Sequence, residues 1–255
     1  YTGAATMAVY LVVLLSALTS VSLRGSKVAV SLYALELGAS AAMVGVLAAL
    51  FAAFPLLLAV PAGRLADRFG LRLPIVGGIL IMAAGLALPL ARPGMTALLL
   101  CPALVGLGHI FFHVSVHSLV GALGSAAERT RNFATFSLGI SIAAFIGPSA
   151  AGFAIELAGY RAAFALLAAI AVLPALYAML HRSLIPERVR HEAETQPKRA
   201  ADLLAIPALR RTLIMSGVTL TGIELFSFYL PIYGSAIGLA PSVIGMILSS
   251  HAVAG

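Results

Sequence analysis

Charged side chains are scarce in this sequence: 10% of its 255 residues are charged, against about 25% in a typical soluble domain. Cysteine is nearly absent too, and a single Cys101 excludes both a disulfide within the chain and a cysteine cage for a metal. No glycine-rich loop of the P-loop type occurs, so the chain has no ATP site of that kind. Apolar residues make up 61% of the sequence, and the mean hydropathy is +1.06. These proportions predict a protein whose solvent is lipid.

The apolar runs have the length of transmembrane helices, which need roughly 20 residues to cross a bilayer core of ~30 Å. Continuous apolar runs of this length are too long for strands. We expect spans at 8–36, 42–62, 73–91, 95–120, 133–157, 161–181 and 211–236, and the start of an eighth near 242. The sequence therefore predicts an all-α membrane protein with a six-helix N-terminal bundle at 1–181, a polar linker at 182–210 and the start of a C-terminal bundle at 211–255.

Basic residues are distributed unevenly among the loops. Twelve of the 16 lysines and arginines lie in the loops after the second, fourth and sixth spans, whereas only Arg92 and Arg161 lie in the opposite loops. Because loops rich in Lys and Arg stay in the cytoplasm, we expect these loops, the linker and the N-terminus to be cytoplasmic. The net charge of +7 is then a loop charge beside a membrane, and no nucleic-acid partner is expected.

A weak internal repeat appears when the chain is compared with itself at an offset of 200 residues. Gly38 and Gly45 fall on Gly238 and Gly245, and Ser16, Thr19 and Tyr33 also meet identical residues. Both copies leave from the same side of the membrane. The offset therefore predicts parallel repeats related about the membrane normal.

The most specific segment lies between the second and third spans and runs from Gly63 to Arg72, with the letters GRLADRFGLR. It resembles the G-x-L-A-D-R-x-G-R-[KR] signature of the major facilitator superfamily, with Leu71 in place of the first basic residue of the closing pair. We expect Gly63 and Gly70 to permit a tight cytoplasmic turn, and Asp67 to pair with an arginine or cap a helix. The resemblance implies a cytoplasmic gate formed by Gly63, Asp67, Arg68, Gly70 and Arg72.

Two further segments are similar to the same family. The letters GYRAAF from Gly159 resemble its entry to helix 6, and GPSAAG from Gly147 resembles a helix 5 motif associated with antiporters, here carried by Gly147, Pro148 and Gly152. In helix 4, Pro102 stands where the family often has an arginine linked with proton coupling. The resemblance implies a twelve-helix plan, of which this chain would hold about seven and a half helices.

Three charges lie well inside predicted spans, away from the span ends, where each costs on the order of 2.5–3.5 kcal/mol. Arg24 and Lys27 are three residues apart on the first span and share a face, and Glu224 lies near the middle of the seventh. In the family the first and seventh helices line the central cavity. We therefore expect a site for an anionic solute or a proton; a structural ion pair between the halves is the alternative, as is Lys27 extending to an interface.

Histidines recur every four residues on the fourth span, at His109, His113 and His117. They form one stripe, since four residues advance a helix by little more than one turn. We expect packed or cavity-lining histidines, with His109 and His113 as candidates for proton handling. A metal site is the alternative, although the third histidine lies too far along the axis to join the other two on one ion.

The function expected is secondary active transport of small organic solutes by alternating access. Proton-coupled efflux of anionic or amphiphilic compounds comes first, proton–solute symport into the cell second, and a membrane-embedded metal enzyme using the helix 4 histidines is the rival from another class. Expected partners are a small-molecule substrate, protons and the lipid bilayer. No cofactor, metal or enzymatic activity is expected. Composition suggests a bacterial inner membrane, and the full-length protein is expected to be monomeric.

Overall fold

The computed structural model describes residues 2–123, 128–181 and 206–254, with side chains described between residues 7 and 251. This part of the chain is helical and contains no strand. Its helices are α1 (Thr2–Glu36), α2 (Ala41–Phe69), α3 (Arg72–Ala91), α4 (Met95–Ala122), α5 (Arg129–Leu180), α6 (Pro207–Ala236) and α7 (Pro241–Ala254). The first six are long and apolar enough to cross a membrane. Most of the predicted linker, up to residue 205, lies outside the described residues.

The 52-residue helix α5 consists of two antiparallel arms, 129–158 and 160–180, because Gly159 between them has a positive φ of 79°. The arms correspond to the predicted fifth and sixth spans. Helix α6 begins at Pro207, ahead of the predicted 211, and proline is well suited to the first position of a helix. The predicted all-α fold is therefore confirmed.

The turns between α1 and α2 and between α6 and α7 are the same. Gly38 and Gly238 have φ values of 80° and 77°. In each turn the glycine N–H donates three residues back, and the following N–H donates five residues back, from Ala39 to Ala34 and from Leu239 to Gly234. This is the Schellman geometry, which suits glycine because it tolerates a positive φ. The offset of 200 residues thus corresponds to a repeated structure.

The two ends of the bundle differ in chemistry. The basic end carries the arginines of the α2–α3 and α4–α5 connections: Arg64, Arg68, Arg72, Arg129 and Arg131. The opposite end, here called the glycine-turn end, has four turns that each contain a glycine of positive φ: Gly38, Gly94, Gly159 and Gly238. Helices α1 and α6 both start at the basic end.

Small residues bring the helices of the first bundle close together. A Cβ on Gly78 of α3 would lie 2.9 Å from the backbone nitrogen of Phe112 on α4, and one on Gly25 of α1 would lie 2.9 Å from the carbonyl oxygen of Gly147 on α5. Such close contacts are typical of helix packing in membranes, where apolar burial drives little association. Helices α1 to α5 therefore form one closely packed body, the first bundle.

Helix α6 meets the first bundle over only part of its length. Residues 210–222, nearer the basic end, are exposed, whereas Phe226, Phe228, Leu230 and Ile232 pack against the core. The ring of Phe228 lies 6.3 Å from that of Phe51 on α2. Within the described residues α6 therefore contacts the first bundle near the glycine-turn end and not along residues 210–222.

The expected turn at Gly63 is wrong. Helix α2 continues to Phe69, so Gly63 is a helical residue, and only Gly70, with φ 83°, takes the turn conformation. The sequence misleads here because Arg64 and Arg68 look like the end of a span. Long cationic side chains can reach polar surroundings while their backbone continues the helix.

Candidate functional site

A cavity of about 220 Å³ lies between α1, the first arm of α5, α6 and α7. Arg24 and Lys27 line it from α1, where their spacing of three residues puts both on one face. The other lining residues are Val28, Ile140, Ser141, Ala144, Pro148, Ile223, Ser227, Leu248 and His251. The two cations predicted from the first span thus face one cavity near the middle of the helices.

Lys27, which lines this cavity, has an acidic partner on α6. Its Nζ lies 2.6 Å from Oε2 of Glu224 on α6, and the side chains are 18% and 49% exposed respectively. The same Nζ lies 5.7 Å from the centre of the Phe228 ring, within the range of a cation–π contact. The ammonium group is therefore neutralised by one acidic residue and screened on one side by an aromatic ring.

Arg24 differs from Lys27 because it forms no hydrogen bond or ion pair within the described residues. Glu224 is near enough to attract its guanidinium electrostatically, but the carboxylate is bound to Lys27. Arg24 lines the cavity and is partly buried. Among the described residues the cavity therefore has one cation that is paired with a carboxylate, Lys27, and one that has no ion pair, Arg24.

The predicted helix 5 motif, at Gly147, Pro148 and Gly152, determines how closely α5 approaches α1 and α7 around the cavity. A Cβ on Gly147 would lie 2.8 Å from the carbonyl oxygen of Val21 and 3.1 Å from Cβ of Arg24, so only glycine fits without a shift. Pro148 follows and lines the cavity itself. Gly152, one turn further, faces α7, where a Cβ would collide with the carbonyl of Pro241. The motif therefore joins the first bundle to α7 and holds α1 against α5 at Arg24.

His251 is a cavity residue that the sequence did not place. Its ring packs 4.4 Å from that of Phe226, and the side chain faces the cavity across from Arg24. A signal was available, because Ile244, Leu248 and His251 follow the helical spacing of a buried face, and the first two are indeed buried. The cavity that Arg24 lines thus also has the aromatic ring of His251 in its wall.

The histidines of α4 form the expected stripe but do not line the cavity. The rings of His109 and His113 are 5.1 Å apart and those of His113 and His117 are 4.3 Å apart. His109 is buried beside the cavity, within electrostatic range of Arg24 and Lys27, and its Nδ1 has no partner among the described residues. Those residues contain no group of three or more His, Cys, Asp or Glu arranged to hold a metal ion.

The gate segment lies at the basic end, far along α2 and α3 from the cavity. Asp67 is exposed in the last turn of α2, and it has no ion pair within the described ranges. The Arg68 guanidinium lies 5.3 Å from the ring of Phe69. Arg72 donates from Nη2 to the carbonyl oxygen of Met179 at 3.3 Å, at the C-terminal end of α5, where a cation is favourable.

These features define a helical membrane protein, with antiparallel helices arranged in repeats around a mid-span cavity that contains charge. The chain belongs to the Major Facilitator Superfamily, whose sequence profile matches residues 10–255. The protein is thus a multi-pass membrane protein of a transporter family, and the resemblance of the gate segment is confirmed at the level of the family.

Individual relatives are more distant. The chain is 32% identical over 140 residues to Multidrug resistance protein 1 of Bacillus subtilis (strain 168), an alignment that covers 53% of this chain and 36% of the relative. Among solved structures, an inward-facing, unoccupied bacterial homolog of the human lysosomal transporter Spinster superposes with a TM-score of 0.79 at 17% identity, over 98% of this chain and 60% of that one. A peptide transporter POT in complex with sulfate gives 0.61 at 22% identity, over 90% and 49%. The structural matches show the shared fold, and the chain spans little more than a third of the curated relative.

Proposed function

We propose that this chain carries the solute site of a proton-coupled secondary transporter for small organic anions, with Arg24 as the group that binds the negative charge. The observation that supports this most directly is the cavity, in which Arg24 has no ion pair with any residue that the structure describes, while Lys27 is neutralised by Glu224. A free cation at mid-membrane is costly, and a bound anion would offset that cost. The ring of His251 and the Phe226 ring behind it suit an aromatic or apolar body next to the anionic group.

Glu224 is the proposed proton site. When its carboxylate is ionised it neutralises Lys27, and when it is protonated Lys27 becomes available to a bound anion. Protonation of Glu224 and binding of an anion therefore favour each other, and by linkage the effect is reciprocal. A proton and a solute that bind together also move together, so the geometry favours symport.

Efflux by proton antiport is the second candidate, and the curated relative that is named for multidrug resistance supports it. Antiport needs a solute that competes with the proton at Glu224, as an organic cation would. The two candidates thus differ in the charge of the solute as well as in the direction of coupling.

We propose that the basic end faces the cytoplasm of a bacterial cell, because loops rich in arginine are retained there. The proposed carrier works by alternating access, in which the two bundles rearrange around the cavity. In this proposal the complete transporter is a longer, monomeric protein, and the experiments below use that complete transporter.

The test is binding of aromatic carboxylates, led by benzoate, to the purified transporter, compared with their neutral amides and with benzylammonium. We expect carboxylates to bind more tightly than amides, and Arg24→Ala to weaken benzoate binding at least about thirtyfold, equivalent to about 2 kcal/mol for a lost charge partner. Arg92→Ala is the matched control, since Arg92 is an exposed arginine of the α3–α4 turn. A preference for benzylammonium that depends on Glu224 would replace the anion proposal with cation antiport.

A further inference from the structure

The first arm of α5 packs against the start of α7 at the glycine-turn end. Gly245 of α7 faces Pro148 so closely that a Cβ would meet the Pro148 carbonyl. Near it, the backbone N–H of Ser149 donates to Oγ of Ser249 at 3.2 Å, and the two serine Oγ atoms are 2.7 Å apart. These contacts join the first bundle to a helix of the second repeat.

Glu156 makes a different kind of contact in the same place. Its Oε2 accepts a hydrogen bond from the backbone N–H of Ser242 at 3.2 Å. Because α7 begins at Pro241, this N–H belongs to the first turn of the helix, where donors lack partners within the helix. A carboxylate also interacts favourably with the positive end of the helix dipole. Glu156 therefore caps α7 from another helix.

The equivalent helix of the first repeat caps itself. Helix α2 starts after Ser40, whose side-chain oxygen accepts from the N–H of Met43 at 3.3 Å. The residue 200 positions later is Ala240, which has no side-chain acceptor, although the preceding turn has the same Schellman geometry. The cap of α2 thus lies within one bundle, whereas the cap of α7 depends on contact between α7 and α5.

We propose that Glu156 is a positioning residue that stabilises closure of the glycine-turn end. Its hydrogen bond exists only while α5 and α7 are in contact, so it stabilises the state in which the glycine-turn end is closed. When the carrier opens at the glycine-turn end, α7 loses its cap, and with Ala240 at the N-cap position it has no local replacement. The inference uses the two-bundle motion of the family and is independent of the anion site.

The experiment measures the ratio of closed to open conformations in the complete transporter. Spin labels on cysteines introduced at Leu157 and Ile237, both exposed at the glycine-turn end, report the distance across the closure in a background without other cysteines. We expect Glu156→Ala to shift the ratio toward the open distance by roughly five- to tenfold, the effect of losing a helix cap. Glu156→Gln keeps an acceptor without the charge and should shift it less.

Two further variants separate closure from helix stability. Ser40→Ala removes the cap within the first bundle and should lower thermal stability without changing the ratio. Adding Ala240→Ser to Glu156→Ala supplies a cap to α7 in either conformation, so it should recover thermal stability while the ratio stays shifted. An unchanged ratio in Glu156→Ala, an equal shift in Ser40→Ala, or a ratio restored by Ala240→Ser would overturn the proposal. The readout needs no solute, so it does not depend on the identity of the substrate.

Discussion

Replacing Glu224 by glutamine separates the charge of the cavity from its shape. In the wild type an anion that uses Lys27 must first displace a carboxylate that lies 2.6 Å from its ammonium nitrogen. Glu224→Gln keeps nearly the same volume but leaves Lys27 without a counter-charge. The cavity then presents two cations, Arg24 and Lys27, without an acidic partner for either among the described residues.

The size of the effect follows from the exposure of the pair. Glu224 is 49% exposed and Lys27 is 18% exposed, so the ion pair is partly solvated. The interaction free energy of such a pair is about 1 kcal/mol, near the upper limit for exposed ion pairs. Removing it should raise the affinity for benzoate about fivefold at neutral pH. The affinity of the wild type for benzoate should be higher at low pH than at neutral pH, whereas that of Glu224→Gln should be high and independent of pH.

The assay is equilibrium binding of benzoate across a pH series in which the probe stays ionised, followed by uptake into proteoliposomes with and without a pH gradient. Glu36→Gln, at the end of α1 and outside the cavity, is the matched control and should titrate like the wild type. A Glu224→Gln variant with the pH dependence of the wild type would refute the proposed proton site. An affinity that falls in this variant would show that Glu224 helps to hold the solute.

Three other outcomes can be checked. Gly147→Ala should lower the free energy of unfolding by about 1–3 kcal/mol, because its Cβ would lie 2.8 Å from a backbone oxygen. The control is Gly77→Ala on α3, whose Cβ meets nothing within 4 Å and should not lower the stability measured in a denaturation series. Asp67→Asn should slow transport far more than it weakens binding, if this exposed gate residue stabilises one of the two states; equal losses would argue against that role. Purified protein should contain no stoichiometric transition metal by elemental analysis; tight binding that disappears in a His109→Ala, His113→Ala variant would restore the metal-enzyme alternative.

Much of the fold follows directly from the sequence, because a bilayer leaves few solutions for long apolar runs. Each predicted span has a helix, and the glycine pair Gly38 and Gly238 correctly indicates a repeated turn. The turn expected at Gly63 was wrong because the arginines that follow it suggested the end of a span, whereas the helix continues to Phe69. Helix α2 extends through two arginines before Gly70 ends it, so charge alone did not mark its boundary.

The site was harder to predict, because it depends on how helices rotate against one another. Arg24 and Lys27 look equivalent in the sequence, yet only Lys27 reaches Glu224. The short segment of α7 did not show which of its faces packs against the first bundle, so the sequence could not place His251 in the cavity. The contact between Glu156 and Ser242 joins residues 86 positions apart through a backbone donor, and no sequence pattern marks such a donor.

The glycine crossing of α1 and α5 has a consequence for which compounds are carried. Because Gly25 and Gly147 leave no space between the two backbones, Arg24 is fixed to the first bundle, while Glu224 and His251 belong to α6 and α7. In the proposed site, a compound that contacts only Arg24 binds to the first bundle alone and makes no contact with α6 or α7. A longer compound that also contacts His251 bridges the two and moves with their rearrangement. Among ligands of equal charge, molecular length would thus distinguish transported substrates from inhibitors that bind without being transported.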